Sequence, residues 1–165
     1  LSEVAEKWEG STTLEEPDSV RVIQVRTGLV LSAKGGFLAP SVKLFKLFAG
    51  GHFGNGKQWM PWIHMEDEVG AIVFLVHHQS AKGAFNLVGP NPVRGKEFYK
   101  TLGRVLKRPS WLPVPAFILG MIPNGFGEEL LLTSQNVKPA RLLELGFAFR
   151  FQALERALSD LFDHE

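Results

Sequence analysis

The sequence predicts an α/β fold, with short strands in the first half of the chain and mostly helices in the second. Residues 20–31 are rich in β-branched and aliphatic side chains and predict a parallel strand with near-continuous burial. Residues 67–78 and 97–108 instead carry apolar side chains at helical spacing. A short apolar stretch at residues 85–88 lies between these helices and predicts a second strand. Strands that alternate with helices in this way indicate an α/β domain.

Two further helices are predicted before residue 50. Residues 1–10 carry a charged amphipathic pattern, and residues 11–19 are typical of a polar surface loop. Residues 38–48 predict a helix whose start is restricted by Pro40. The side chains expected to face inward in this helix are Leu44, Leu47 and Phe48.

The later helices are predicted with defined inward faces. The helix at residues 67–78 is expected to bury Val69, Ile72, Val73 and Val76. The helix at residues 97–108 is expected to bury Phe98, Leu102, Val105 and Leu106. Pro139 suits a first helical position, and Gly146 is expected to end that helix. A last helix at residues 152–162 is expected to bury Leu154, Ala157, Leu158 and Leu161.

The composition is that of an ordinary globular protein and excludes several classes of function. Lys plus Arg number 18 against 17 Asp plus Glu, which leaves no electrostatic footprint for nucleic acid or an anionic membrane. The chain has no cysteine, which excludes disulfides and thiolate metal sites and is compatible with a cytoplasmic protein. The most apolar run, residues 111–123, is too short to span a bilayer. A chain that opens inside a helical pattern, at Leu1, indicates a piece of a longer protein.

Residues 51–58 nearly match the phosphate-binding pattern Gly-x-x-x-x-Gly-Lys-Ser/Thr. The match fails at Gln58, which stands in place of the hydroxyl that would coordinate magnesium. A phosphate loop must also open a helix, and Pro61 would obstruct one here. We therefore expect these glycines to let a loop approach a neighbouring surface or a ligand.

Trp59, Trp62 and His64 follow this loop and could line a pocket, since aromatic faces with a few polar groups suit small organic ligands. The alternative is a half-buried strand in which Trp62 packs in the core and His64 is a structural histidine. A metal site is not predicted. His77 and His78 are adjacent on a helix, so their side chains diverge and do not readily share an ion.

Four segments of the chain carry a family resemblance. Residues 26–31 read Arg-Thr-Gly-Leu-Val-Leu, and residues 54–67 run from a Gly-x-Gly-x-Gln turn to Ile-His-x-x-Asp. Residues 85–93 include Phe-Asn-Leu and Pro-Asn-Pro-Val, and residues 139–158 include Pro-x-Arg-Leu-Leu and Gly-Phe. In this order they resemble the extended short-chain dehydrogenases/reductases, and in particular an atypical, epimerase-like branch that uses NAD(P). The resemblance covers nearly the whole chain.

The resemblance implies the C-terminal part of a Rossmann-like enzyme, with short strands and a mostly helical substrate domain. Residues 1–88 would end the Rossmann-like core, and residues 89–165 would form the substrate-side domain. The turn beside the nicotinamide of the cofactor would comprise Thr27, Gly28, Leu29 and Val30. The substrate cleft would be lined by Gln58, Trp59, Trp62 and His64.

The residues that this family uses for its chemistry are not matched in the sequence. The strand, Gly-x-x-Gly-x-x-Gly turn and helix that hold a dinucleotide do not occur. The single tyrosine, Tyr99, has Gly103 where a Tyr-x-x-x-Lys pair requires lysine, so no catalytic residue is assigned. Met60 stands where sugar-nucleotide epimerases place an arginine for the substrate diphosphate. This favours a less charged, more apolar substrate.

The resemblance thus implies the substrate-binding portion of an NAD(P)-dependent epimerase or oxidoreductase that transfers a hydride at a secondary alcohol carbon. The cofactor would be held mainly by a preceding segment. The partner would be a small molecule, and neither nucleic acid nor a membrane is expected. The alternative is a non-catalytic binding or interaction protein that retains the fold. Without strands beside residues 20–31, an exposed apolar edge would favour self-association.

Overall fold

The computed structural model describes residues 10, 20–111 and 134–163. The strands are β1 (Ile23–Thr27), β2 (Leu29–Leu31), β3 (Trp59–Met60), β4 (Trp62–His64), β5 (Gly83–Leu87) and β6 (Val93–Arg94). The helices are α1 (Leu38–Lys46), α2 (Met65–His77), α3 (Gly95–Val105), α4 (Ala140–Glu144) and α5 (Leu154–Phe162). The α/β prediction is confirmed. The helix predicted at residues 1–10 lies outside the described residues, apart from Gly10.

The strands pair in three couples within the described residues. β1 and β5 are parallel, with Ile23 opposite Gly83. β2 and β4 are also parallel, with Leu29 opposite Trp62, whereas β3 and β6 are antiparallel. The parallel pairing predicted for residues 20–31 is therefore confirmed.

The strand predicted at residues 20–31 is divided in two at Gly28. The N–H of Gly28 donates to the carbonyl of Leu87 over 3.0 Å, and the N–H of Leu29 donates to the carbonyl of Pro61 over 2.8 Å. The chain therefore stops pairing with β5 and begins to pair with β4 at this point. One long strand was expected because this exchange of partners depends on residues far away in the sequence.

Burial differs between the two strands. Leu29 and Leu31 of β2 are buried, whereas Val25 of β1 is 45% exposed. The expectation of near-continuous burial is therefore wrong for β1. The physical reason is that, among the described residues, β1 pairs with β5 alone, so no further strand lies along its other edge.

α1 ends two residues earlier than predicted, and this changes which side chains are buried. Phe45 is fully buried and Leu44 is half-buried, but Leu47 is 76% exposed. Phe48 is also exposed, so the inward orientation predicted for Leu47 and Phe48 is wrong. The backbone of Phe48 takes a positive φ of 60°, which turns its ring away from the core and toward the guanidinium of Arg108.

α2 confirms the helix predicted at residues 67–78 but turns a different face inward. Its buried residues are Asp67, Glu68, Ala71 and Leu75. The residues that were expected to be buried are exposed, namely Val69, Ile72, Val73 and Val76. The carboxylate of Asp67 sets the rotation, because it accepts hydrogen bonds from the N–H groups of Arg150 and Phe151 at 2.8 and 2.9 Å. Ala71 and Leu75 follow Asp67 on the same face of the helix.

Two cores hold the described residues together. The first core consists of Leu29, Leu31, Leu38, Phe45, Phe53, Met60, Trp62, Phe98, Tyr99, Leu102, Phe151, Leu154, Ala157 and Leu158. The second core consists of Ile63, Ala71, Leu75, Ala81, Phe85, Leu87, Leu142 and Phe149. The predicted inward faces of α3 and α5 lie in or against the first core and are confirmed.

The C-terminal end of α4 matches its sequence signal. Gly146 adopts a positive φ of 87° just past the end of α4, as predicted. Pro139 was expected at the first helical position and instead immediately precedes the helix, which begins at Ala140. Within the described ranges, none of the helices has the length and apolar character needed to cross a membrane.

Candidate functional site

The turn that was predicted to lie beside a nicotinamide joins β1 to β2 at the carboxyl end of β1. Its backbone is committed to the fold, because the N–H groups of Gly28 and Leu29 already donate to carbonyls of the chain. The exposed side chain at this point is that of Thr27, whose hydroxyl donates to Glu68 Oε1 over 2.8 Å. The polar side chain that this turn exposes is therefore that of Thr27, and the carboxyl group of Glu68 lies behind its hydroxyl.

Glu68 is a buried carboxyl group in the first turn of α2. Burial raises the pKa of Glu68, and the hydrogen bond from Thr27 opposes this shift. Its second oxygen, Oε2, is buried and has no hydrogen-bond partner among the described residues. Sequence reasoning missed Glu68, because a carboxylate at a helix start is usually a solvated group that favours the helix dipole.

Gly28 holds the turn close to the neighbouring chain. A Cβ atom at this position would lie 2.3 Å from the carbonyl oxygen of Pro61 and 2.7 Å from Val88 Cγ1. These separations are well below van der Waals contact, so no other residue fits without displacing β4. The two strands can therefore meet beside Thr27 because residue 28 is a glycine.

Gln58, predicted to line the substrate cleft, is buried beneath the start of α3. Its Nε2 donates to the carbonyl of Phe53 over 3.2 Å, and its backbone carbonyl accepts from the N–H of Gly95 over 2.8 Å. A Cβ atom on Gly95 would lie 2.7 Å from Gln58 Nε2. In this chain Gln58 joins the glycine loop to α3.

Trp59 is half-buried and pairs with the exposed side chain of Arg94. The guanidinium carbon of Arg94 lies 3.8 Å from the centroid of the Trp59 ring, and Arg94 also donates to the carbonyl of Lys57. The two residues are brought together by the antiparallel pairing of β3 with β6. Arg94 was missed in the sequence because that pairing joins Trp59 to a residue 35 positions later in the chain, which leaves no local signal.

Trp62 and His64 belong to the interior. Trp62 is fully buried in the first core, and its Nε1 donates to the carbonyl of Asn91 over 3.0 Å. His64 is also buried, and its ring centroid lies 3.8 Å from that of Phe151. The alternative interpretation of these two residues, as a core tryptophan and a structural histidine, fits their surroundings.

His64 caps α2 and faces a carboxylate. Its Nδ1 accepts a hydrogen bond from the N–H of Glu66 over 3.2 Å, which requires the unprotonated nitrogen. Burial lowers the pKa of His64, whereas the carboxylates of Asp160, Glu66 and Asp67 raise it.

The structure thus separates the predicted site residues. Thr27 and Gly28 lie at the carboxyl end of β1 beside Glu68, and Leu29 and Val30 belong to β2. Trp59 pairs with Arg94, whereas Gln58, Trp62 and His64 are buried. The roles predicted for the site residues in binding cofactor and substrate stay predictions. In the part of the chain that the structure describes, no cluster of His, Asp and Glu side chains could hold a metal ion.

Tyr99, the single tyrosine, is unsuited to act as a base. It is fully buried in the first core, between the rings of Phe53 and Phe98. Burial raises its pKa, and the neighbouring Ser41 hydroxyl only partly opposes this shift.

Comparison with known sequences places the chain among epimerase family proteins. It is 46% identical over 158 residues to the chloroplastic epimerase family protein SDR39U1 homolog of Arabidopsis thaliana, covering 96% of this chain and 45% of that protein. It is 39% identical to epimerase family protein YfhF of Bacillus subtilis, covering 98% of this chain and 52% of that protein. Residues 114–161 match the family described as Domain of unknown function (DUF1731).

Solved structures show the same relationship. The human epimerase family protein SDR39U1 (isoform 2), crystallised with NADPH, superposes on 99% of this chain with a TM-score of 0.91 and 32% identity, covering 55% of the human chain. The nucleoside-diphosphate sugar epimerase of Corynebacterium glutamicum superposes on 99% of this chain with a TM-score of 0.75 and 30% identity, covering 31% of that chain.

These matches confirm the resemblance seen in the sequence. The chain spans about half the length of the curated relatives it matches. The chain belongs to the epimerase family of atypical short-chain dehydrogenases/reductases, and it corresponds to the C-terminal half of the longer members.

Proposed function

We propose that this chain forms the substrate-side half of an NADPH-dependent oxidoreductase or epimerase that transfers a hydride at a secondary alcohol carbon. The observation that carries this proposal is the match to the human relative that was crystallised with NADPH. That match extends over 99% of this chain with a TM-score of 0.91. The cofactor, when bound, supplies the nicotinamide that exchanges a hydride with the substrate carbon.

The residues at the carboxyl end of β1 fit one polar end of such a cofactor. The buried Oε2 of Glu68 has no partner among the described residues, and Thr27 is exposed beside it. The exposed Thr27 hydroxyl donates its proton to Glu68, so its oxygen can accept a hydrogen bond from the amide N–H of the cofactor. We assign Thr27 to contact the nicotinamide amide, Glu68 to orient the Thr27 hydroxyl, and Gly28 to keep the turn close against β4.

On the substrate side, the pair of Trp59 and Arg94 is the proposed contact. Met60, which occupies the position of the diphosphate-binding arginine in sugar-nucleotide epimerases, is buried in the first core and presents nothing to a cleft. Arg94 instead offers a cation over the face of Trp59. This combination suits a substrate with one planar or apolar portion and one acidic group.

The proton-transfer group of the reaction is assigned to the half of the fold that this chain does not span. Tyr99 is buried and its pKa is raised, and Gly103 stands where the accompanying lysine would be. The chain therefore positions substrate and cofactor, and it does not move the proton at the reacting carbon.

A second function is favoured by one observation. Gln58, Trp62 and His64, three of the four residues predicted to face substrate, are buried with partners inside the chain. A binding or interaction protein that retains the fold needs no contact from these side chains. The cytoplasmic location expected from the sequence also stays a prediction, and the name of the Arabidopsis relative places that protein in the chloroplast.

Calorimetric titration tests the proposed function. NADPH and NADH are titrated into this chain and into a fusion protein that carries, upstream of it, the N-terminal segment of the Bacillus subtilis relative that this chain does not match. Binding of NADPH by the fusion protein, weakened in Thr27→Val and Glu68→Gln but unchanged in Glu97→Gln, is expected. If a folded fusion protein binds neither dinucleotide, the proposal of an oxidoreductase is rejected and the alternative, a binding protein that retains the fold, is supported.

A further inference from the structure

A cleft lies between α3 and the segment that opens α5. Its volume is about 540 Å³, which is within the range of roughly 300 to 1,000 Å³ that small-molecule sites occupy. Lys100 and Arg104 of α3 line one side, and Gln152, Leu154 and Glu155 line the other. None of these residues was predicted to bind cofactor or substrate. We call this feature the α3–α5 cleft.

Two side-chain bridges fix the distance between the sides of the cleft. Before α3 begins, Asn91 Nδ2 donates to the carbonyl of Gln152 over 3.0 Å. In the last turn of α3, the guanidinium of Arg104 donates to Glu155 Oε2 over 2.9 Å. Both helices also contribute to the first core. The α3–α5 cleft is therefore a fixed feature of the fold, built by residues of this chain.

The charges that line the cleft balance one another. Lys100 and Arg104 are basic, and Glu97 and Glu155 are acidic. A ligand with only an anionic group would meet two carboxylates that repel it, and a ligand with only a cationic group would meet two basic side chains. A ligand that carries one charge of each sign complements the whole lining. The lining therefore favours a zwitterion.

The ion pair between Arg104 and Glu155 can admit such a ligand. Both side chains are 56% exposed, and an exposed ion pair contributes little to the stability of a fold. A carboxylate that enters this pair meets Arg104 and also Lys100, which lies one turn earlier on the same face of α3. An ammonium group of the same ligand then takes the place of the guanidinium beside Glu155. Each charge exchanges one partner for another, so none is left unpaired.

Apolar side chains line the same cleft, since Leu154 is buried and Val93 is half-buried. We propose that the α3–α5 cleft binds a free amino acid with an aliphatic side chain. Lys100 and Arg104 hold its carboxylate, and Glu155 holds its ammonium group. Its side chain contacts Val93 and Leu154. This site is independent of the proposed function, because it involves neither the cofactor nor a residue assigned to the reaction.

A titration with leucine tests the proposal, with two analogues that carry one charge each. 4-Methylpentanoate has the carboxylate without the ammonium group, and leucinamide has the ammonium group without the carboxylate. Each compound is added to the isotope-labelled chain and to the fusion protein described above, while the amide chemical shifts are recorded. Leucine is expected to shift amides of α3 and α5 saturably. Its Kd is expected to be about fivefold lower than that of either analogue, the equivalent of one exposed ion pair.

Variants of the cleft show whether the charges act as proposed. Lys100→Met and Glu155→Gln are each expected to raise the Kd for leucine about fivefold. Lys96→Met, at an exposed lysine of α3 outside the cleft, is the matched control and leaves this Kd unchanged. Glu155→Gln should also lower the Kd for 4-methylpentanoate, because a carboxylate that repels it is lost. The proposal is overturned if leucine shifts no amide of the cleft in either folded protein, or if 4-methylpentanoate binds as tightly as leucine.

Discussion

The buried imidazole of His64 faces the half-buried carboxylate of Asp160, with Nε2 3.5 Å from Oδ2. On its other side the same imidazole caps α2 through Nδ1. One ring therefore joins the start of α2 to α5. Burial favours the neutral ring, and the carboxylate favours the charged one. Because the pKa of His64 is lowered on balance, the desolvation of the ring is the stronger effect.

The free energy of unfolding is expected to fall as the pH drops below about 6.5, the ordinary pKa of histidine. The lowered pKa means that the unfolded chain binds this proton first, so acid stabilises the unfolded state. Urea unfolding between pH 5 and pH 8, about the range in which histidine titrates, measures the effect. His64→Asn keeps a capping acceptor and is expected to lose this pH dependence. His77→Asn, at an exposed histidine, is the control and is expected to retain it. If the stability of H64N depends on pH as strongly as that of the unsubstituted chain, the assignment to His64 is contradicted.

Glu68→Gln is expected to stabilise the chain at neutral pH by about 1 kcal/mol, since the buried group no longer ionises. Because the pKa of Glu68 is raised in the folded chain, the protonated group contributes its full stabilisation below the ordinary pKa of 4.5. This contribution is lost as the pH rises through the pKa of the folded chain. In urea unfolding, the free energy of unfolding of E68Q should therefore exceed that of the unsubstituted chain by an amount that grows from pH 4 to pH 8, roughly the range in which a buried carboxyl group titrates. Glu97→Gln, at an exposed glutamate, is the control and should show no such growth.

Gly28→Ala is expected to destabilise the chain by about 2 kcal/mol or more, because an added Cβ overlaps the backbone and cannot be relieved by a rotamer change. That Cβ would lie 2.3 Å from the carbonyl oxygen of Pro61. The matched control is Gly35→Ala, where an added Cβ meets no atom within 4 Å. Thermal unfolding of both variants measures the difference. A G28A protein as stable as G35A would show that β2 and β4 are not held as closely as described.

Asp67→Asn is expected to lower the free energy of unfolding by about 2 kcal/mol. One of the two backbone N–H groups that donate to the carboxylate, those of Arg150 and Phe151, loses its acceptor in this variant. Glu66→Gln tests the neighbouring carboxylate, which pairs with the side chain of Arg150 at the surface. An exposed ion pair of this kind contributes about 0.5 kcal/mol. Equilibrium unfolding should therefore separate the two variants clearly. Similar losses in both would mean that the backbone contacts of Asp67 do not fix the rotation of α2.

The types and order of the elements could be predicted from the sequence where local spacing carried the information. α3 and α5 are examples, since Phe98, Leu102, Leu154 and Leu158 bury as their helical spacing indicates. For α2 the same reasoning found the helix and chose the wrong face. Its rotation is set by a contact between Asp67 and backbone 83 residues further along the chain. The spacing of apolar residues along a helix does not reveal such a long-range contact.

The candidate site was only partly accessible to sequence reasoning. The turn at Thr27 was found because the family resemblance supplied it. Glu68 was not found, because nothing local indicates that a glutamate in a helix start is buried against a strand. Arg94 was missed for the same reason, since its position over Trp59 comes from strand pairing. Tertiary pairing, which the sequence does not display, therefore decides which side chains meet.

The pairing of β2 with β4 has a consequence for how this chain folds. Trp62 packs in the first core and Ile63, the next residue, in the second. In β2, Leu31 lies in the first core and Val30 packs against the second. Because neither face of this pair is left to solvent, a slip of one residue would exchange the side chains of both cores at once. The amides of the two cores should therefore lose their protection against hydrogen exchange together, as one cooperative unit. We expect this unit to open when the six residues of the β2–β4 pair separate.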